Sequence, residues 1–347
     1  MVSAWPLAEK VALLLVPPVL DFQTASEQVA ASDGVGGILF LGDAQPPAGL
    51  AQQLAAAFAH RGAPVAPMVM ADEEGGGVQR LAGAVTSLPW PRVMAETLTP
   101  QQVQQMAATV GSQMRALGVN VDLAPVLDVD GGEGPNASDP DGYRSFSAVP
   151  AVAAQYGTAF ADGLESAGVL AVAKHFPGLG GASRNTDYGP ATTQPIQQLE
   201  AGGLDPFRAA IAGGIGAVMV SNASVPGLTT LPASLSPAVI TGLLRGQLGF
   251  QGLVMTDSLS AGAISQSGYD LPHAVVAAVA AGADMVLFGS TLTPAQTALQ
   301  EPSALNSTIQ QLVGALVAAV DGGTLPLSRV NDAVIHIVTA DHADLCT

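Results

Sequence analysis

The chain has 347 residues, 48% hydrophobic and 11% charged, with 40 glycines and 25 prolines, enough apolar material for one large core of the kind that α/β barrels build at this length. A net charge of -17 excludes the usual electrostatic routes to nucleic acid and to anionic membrane surfaces. The single cysteine, Cys346, excludes an internal disulfide and a thiol-based metal site.

Near the start, Lys10 leads into VALLLVPPVL, which imitates the apolar part of a signal peptide. The Pro17-Pro18 pair and Asp21 favour a first buried strand over 11–15 instead. The compartment stays open between the cytoplasm and export to the cell envelope, with the signal segment absent from this chain. Further apolar runs follow at 37–41, 67–71, 119–125, 169–175, 217–221, 252–256 and 283–288. Helical patterning fills 48–61, 100–117, 149–167, 196–212 and 237–248, and 325–347 reads as a closing helix. Alternation of this kind predicts parallel βαβ units. Eight such strands predict a single (β/α)8 TIM barrel occupying residues 1–347 as one domain. A doubly wound open sheet is the runner-up, but no Gly-rich fingerprint follows the first strand. The glycines at 34–37 precede a strand and read as a turn. No run is expected to span a bilayer, since the closest, 274–289, is interrupted by Asp284 and glycines.

The polar residues that end these strands carry the chemistry. The third strand runs into Asp72-Glu73-Glu74-Gly75-Gly76, with Arg80 just after; the fourth runs into Asp128 and Asp130, and its loop carries Arg144. The fifth ends in Lys174-His175, the sixth in Ser221-Asn222, the seventh in Asp257-Ser258. Strand ends of a barrel meet at one mouth. A mouth that mixes carboxylates with cations suits a neutral, hydroxyl-rich ligand such as a sugar.

These stretches resemble glycoside hydrolase family 3, in particular its single-domain bacterial β-N-acetylglucosaminidases acting on cell-wall fragments. The likeness rests on 72–80 (DEEGGGVQR), 118–129 (GVNVDLAPVLDV), 144–146 (RSF), 174–178 (KHFPG), 232–236 (PASLS), 248–250 (LGF) and 256–259 (TDSL), in that order over nearly the whole chain. The resemblance implies a retaining hydrolase that removes a terminal non-reducing sugar. Asp257 would be the nucleophile, and Asp72, Arg80, Arg144, Lys174 and His175 would hold the sugar. No cofactor and no metal is implied; the partner is a carbohydrate. Retention needs an ionised carboxylate beside the anomeric carbon, and the expectation is that Lys174 and the arginines hold the Asp257 pKa low.

One loop departs from the family. Where its members read Lys-His-Phe-Pro-Gly-His-Gly, four residues, then Asp-Ser-His, with the last His protonating the leaving group, this chain has Leu179, Asn185, Thr186 and Asp187 at the His, Asp, Ser and His positions. Asn222 stands where a His is usual, and Gly77 where an Arg is usual. His60, His273, His336 and His342 fall in predicted helices or the tail and offer no substitute. Either Asp187 takes over as acid/base, a two-carboxylate arrangement, or the loop no longer catalyses and the barrel binds glycans or cleaves only activated substrates. Asn222 is assigned to the sugar-binding set. A Schiff-base lysine at Lys174 and a phosphate cradle at Gly178, Gly180 and Gly181 with Arg184 nearby are weaker alternatives. No metal-ligand spacing and no nucleotide motif appears in the sequence.

Overall fold

The computed structural model describes residues 2–20, 34–41, 46–47, 49–59 and 65–341. The readings placed on Asp21, His60, His342, Cys346 and the end of the tail lie outside the described residues. Eleven strands can be named among those described: β1 (Leu15–Val16), β2 (Pro18–Val19), β3 (Gly37–Phe40), β4 (Met68–Ala71), β5 (Glu73–Gly75), β6 (Val78–Gln79), β7 (Val121–Asp122), β8 (Leu170–Phe176), β9 (Ala217–Val220), β10 (Leu253–Thr256) and β11 (Val286–Leu287).

Seven of them form one curled parallel sheet in the order β10-β9-β8-β7-β4-β3-β2. The continuous ladder is thus a seven-stranded half-barrel, where eight strands were expected. β1 pairs separately with β11, Leu15 opposite Val286, and a bridge joins Met255 to Met285. β1 and β2 are one extended stretch divided at Pro17, whose carbonyl accepts from Leu39 N at 3.0 Å but whose nitrogen has no proton to offer a neighbour. β8, β9 and β10 are buried along nearly their whole length, which explains their apolar sequences.

The run expected as a strand over 11–15 divides differently. Leu7–Ala12 is a helix, and only Leu15–Val16 is extended. A short apolar run carries no periodicity that separates a buried helix from a buried strand, and Pro6 supplies a helix start. Lys10 is buried on that helix and donates to Asn331 Oδ1 at 2.9 Å. The strand expected over 119–125 contributes only two residues to the ladder, although Val172 N donates to Ala124 O and Lys174 N to Pro125 O beyond them.

Helices cover the outside of the sheet. Pro100–Ala116 opens on a capping box between Thr99 and Gln102, which satisfies two otherwise orphaned N–H groups. Pro150–Ser166 lies against it so closely that a Cβ on Gly163 would sit 2.3 Å from Gln104 O. The helix expected over 196–212 is two, Ile196–Gln198 and Asp205–Gly213, separated by a wide π-type turn at Leu199–Gly203; the Gly202-Gly203 pair and Pro206 break the run. Leu327–Ala340 closes the described chain. Ahead of it, Pro302–Asp321 is, by length and composition, long and apolar enough to cross a membrane, contrary to the expectation that no run would be. Its Leu305, Ile309, Leu312 and Leu316 are buried in the protein.

At the N-terminal end of β11, buried Asp284 gathers two arginines and a histidine. Arg245 Nη2 donates to Oδ2 at 2.6 Å, His336 Nδ1 lies 2.9 Å from Oδ1, and Arg329 Nη2 also donates to Oδ1. Val254 N donates to Oδ2 at 2.9 Å. This knot ties the closing helix and the 238–247 helix to the sheet.

Candidate active site

The opposite, C-terminal end of the sheet carries the site. After β4 the chain makes a tight hairpin, β5 against β6. Asp122 at the end of β7 accepts Glu73 N at 2.9 Å, and the Glu73 carboxylate accepts from Leu81 N and, at 3.1 Å, from Gln79 Nε2. Burial pushes the Glu73 carboxyl up, to about 7. So anchored, the hairpin presents Asp72 and Glu74 to two cations. Lys174 Nζ lies 2.7 Å from Asp72 Oδ1 and 2.6 Å from Glu74 Oε1. Arg144 grips Glu74 with both arms, Nε to Oε2 at 2.8 Å and Nη2 to Oε1 at 2.7 Å, and gives Nη1 to Pro140 O at 2.9 Å.

This network sets its own charge states. Burial alone would raise the Glu74 carboxyl, but the Arg144 and Lys174 charges outweigh it and hold it far below the carboxylate range. Burial opposes the charge on Lys174, yet Asp72 and Glu74 raise its pKa above the usual lysine value. A lysine held as ammonium cannot attack a carbonyl, so the Schiff-base alternative fails.

His175 follows on the same strand. Its Nδ1 lies 2.7 Å from Asp128 Oδ2, and its Nε2 3.5 Å from Arg144 Nη2. Asp128 also accepts His175 N and Leu179 N, at 3.0 Å and 2.6 Å. Burial pushes the His175 imidazole down to about 4, helped by the Arg144 charge, and pushes the Asp128 carboxyl up to about 7. Asp141, from the turn before Arg144, is fully buried beside them.

Asp257 leaves the end of β10, its Oδ1 accepting Ser258 N at 2.7 Å. Burial raises its pKa; the His175 charge lowers it and the Asp187 charge raises it further. The expectation of a low value is corrected: Lys174 and Arg144 are committed to Asp72 and Glu74, and desolvation prevails. Asp187 is exposed at the rim yet crowded by protein on most sides, and this desolvation raises its pKa too, against the Arg144 charge. The Asn185 side chain accepts the Asp187 backbone N–H at 2.8 Å, forming a turn and not touching the Asp187 carboxyl. The loop is then tied to the segment after Asp257, Gly262 N to Asp187 O and Ala263 N to Thr186 O, both at 2.9 Å. A Cβ on Gly262 would come within 2.8 Å of Asp187 O, so only glycine allows this approach.

Asp72, Arg80, Arg144, Lys174, His175, Asp187 and Asp257 all line one cavity of about 320 Å³. Asn222 does not line it. Buried behind Asp257, it donates Nδ2 to Ser258 O at 2.8 Å and accepts Ser234 Oγ at 2.6 Å. The glycines read as a phosphate cradle line a separate cavity with Asp130 and Asp139, and Gly181 N is already taken by Asp130 Oδ2 at 2.8 Å. A wall of carboxylates repels phosphate, so that alternative also fails. Sequence reasoning gave no role to Glu74, Asp128 or Asp141. Glu74 and Asp128 lie inside the strand-end motifs and were visible there; Asp141 had no signal, because its burial depends on how a long loop folds back.

The Glycosyl hydrolase family 3 N terminal domain matches residues 6–340. The chain is 37% identical over 339 residues to Beta-hexosaminidase LpqI of Mycobacterium tuberculosis, covering 95% of this chain and 81% of that protein. Over 288 residues it is 33% identical to a Beta-hexosaminidase of Nitrosomonas eutropha, covering 79% and 81%. The crystal structure of a family 3 glycosyl hydrolase from Mycobacterium smegmatis superposes with a TM-score of 0.86 at 36% identity over 98% of each chain. The Beta-N-acetylhexosaminidase of Beutenbergia cavernae gives 0.85 at 28% identity, covering 98% and 99%. A parallel α/β scaffold, a Lys–Arg–carboxylate cavity at its strand ends and matches of this extent agree, and the chain belongs to glycosyl hydrolase family 3.

Proposed function

We propose that this enzyme removes a terminal non-reducing sugar of the β-N-acetylglucosaminide type, such as a cell-wall fragment carries, by a retaining double displacement with Asp257 as nucleophile and Asp187 as acid/base. In the first step the Asp257 carboxylate bonds to the anomeric carbon while Asp187 gives its proton to the departing glycosidic oxygen. In the second, the Asp187 carboxylate takes a proton from water, the water oxygen bonds to the anomeric carbon, and Asp257 leaves as carboxylate. Asp72, Arg80, Arg144, Lys174 and His175 hold the sugar, and Asn222 positions the Asp257 turn from behind. Names of relatives such as Beta-hexosaminidase LpqI support the choice of sugar.

The observation that carries this reading is that Asp187 and Asp257 line the same cavity. A pair of carboxyls in one sugar-sized cavity is what a retaining glycosidase divides into acid and nucleophile, and here burial raises both pKa values. At about 320 Å³ the cavity sits at the low end of ligand sites, in keeping with one sugar ring and removal from a chain end. We also propose that the half-barrel belongs to a complete (β/α)8 barrel forming one domain over residues 1–347. The Met255–Met285 bridge, the β1–β11 pair and the continuity of β1 with β2 support closure.

Asp187→Ala assayed on 4-nitrophenyl glycosides with and without azide tests the assignment. The expected result is a loss of about 10²–10⁴-fold, the worth of general acid/base catalysis, with azide restoring turnover and yielding the β-glycosyl azide. Equally slow turnover by wild type and variant on every sugar would remove Asp187 from the mechanism and favour a glycan-binding role.

A further inference from the structure

Asp141 is the most conspicuous buried group that the sugar chemistry leaves unused. It is fully buried, and neither carboxylate oxygen has a hydrogen-bond partner. Arg144 Nη1 and His175 Nδ1 each lie 3.9 Å from its Oδ1, too far to bond. Leaving a buried carboxylate in that condition costs several kcal/mol, which proteins avoid by keeping it protonated, by pairing it or by placing it on a metal. The nearby cations are not available to it. Arg144 is held in both arms by Glu74, and Lys174 is shared between Asp72 and Glu74.

Beside Asp141 stand Asp128 and His175. One ligand atom from each of the three lies within 4.8 Å of the others, and all three residues are buried. They come from the stretch that follows β7, the turn before Arg144 and the end of β8, so no sequence spacing announces them. We propose that Asp128, Asp141 and His175 form a binding site for a divalent cation of the zinc class, set in the wall behind the sugar cavity.

The donor set suits such an ion: one imidazole and two carboxylates are ordinary zinc ligands at bonds of about 2.0–2.2 Å. Tetrahedral bonds of that length put neighbouring ligand atoms about 3.3 Å apart. His175 Nδ1 stands 2.7 Å from Asp128 Oδ2 and 3.9 Å from Asp141 Oδ1. Seating the ion therefore opens one contact and closes the other by a fraction of an ångström. The outer shell is in place, since Leu179 N and His175 N already hold the Asp128 carboxylate, as ligating carboxylates require. An ion here would tie the 128–144 segment to the end of β8 and balance the excess of carboxylates.

Binding of the ion does not depend on which group acts as acid/base, and its test involves no substrate. The full chain is stripped with dipicolinate, dialysed against Zn²⁺ or Mn²⁺, and analysed for bound metal and for thermal stability. Wild type should retain about one zinc per chain, hold it more tightly than manganese, and melt several degrees higher with it. The isosteric Asp141→Asn variant should bind zinc more than about 100-fold more weakly, exceeding the loss usual for an outer partner. His273→Ala, which removes the exposed Asp270–His273 pair, should keep the ion. Zinc retained equally by wild type and Asp141→Asn would mean an adventitious ion only and overturn the site. So would no retention with no zinc-dependent shift in wild type; a higher melting temperature of Asp141→Asn in that case would show that the cluster holds a proton instead.

Discussion

The two ends of the sheet solve the same problem, buried charge, in opposite ways. At the N-terminal end one carboxylate, Asp284, meets two arginines, a histidine and a backbone N–H. Every lone pair of that carboxylate has a donor near it, and the result is a fastener. At the C-terminal end the carboxylates outnumber the cations. Asp72 and Glu74 take Lys174 and Arg144, and Asp128, Asp141, Asp187 and Asp257 are left with raised pKa values for which burial is the first cause. Saturation gives rigidity without chemistry. Shortage leaves protons and charges that a ligand can move.

Substitutions at each end should break this contrast in different currencies. The largest effect is expected at Asp257: Asp257→Ala should lower kcat on an aryl glycoside by at least about 10⁴-fold, about 5.5 kcal/mol of barrier. Its melting temperature should not fall, because a strained charge is removed. Turnover surviving in that variant would show that the nucleophile is elsewhere. Next comes Asp284→Ala, which strands the half-buried Arg245 and Arg329 and should cost about 3 kcal/mol of stability, the low end for a broken buried pair. Denaturant melts would measure it, and KM for the same substrate, read on the folded fraction, should stay put. A change in KM without loss of stability would mean that the knot communicates with the site.

The smallest effect should come from Glu73, which lies in the site's foundation but touches no ligand. Its folded pKa of about 7 against 4.5 in the unfolded chain means that the folded state holds the extra proton between those values. Its contribution to stability is therefore full below pH 4.5 and is lost as pH rises to about 7. Glu73→Gln should gain about 1–3 kcal/mol relative to wild type between pH 4.5 and pH 7.5, at 1.36 kcal/mol per pKa unit. A constant difference across that range would show that Glu73 stays ionised and that the hairpin is held by charge.

What could be read in advance follows the same division. The apolar runs at 169–175, 217–221 and 252–256 gave away β8, β9 and β10 because a strand buried on both faces must be apolar throughout. The first run misled, since apolar residues serve a buried helix equally well and only the placement of Pro6 and Pro17 separates them. Asp72, Lys174 and Asp257 were legible because strand ends of such a sheet converge. The pKa of Asp257 was not, because which carboxylate captures which cation depends on a hairpin register, and here Glu74 wins. Asn222 was placed one layer too far forward: a polar residue at a strand end looks the same in sequence whether it faces a ligand or props up its neighbour. Asp141 was invisible for want of any local pattern.

The tie between Gly262 and Asp187 has a kinetic side. Active-site loops of many enzymes wait for substrate to close them, and some of the ligand's binding energy goes into that closure. Here Gly262 N and Ala263 N hold the 186–187 backbone directly to the segment that follows Asp257, so the two carboxylates travel as one body. Ordering them draws nothing from the remote part of a glycan. Extending the leaving group beyond the first sugar should therefore tighten binding more than it quickens the bond-breaking step, and entry to the cavity should set the tempo of encounter without a gate to open first.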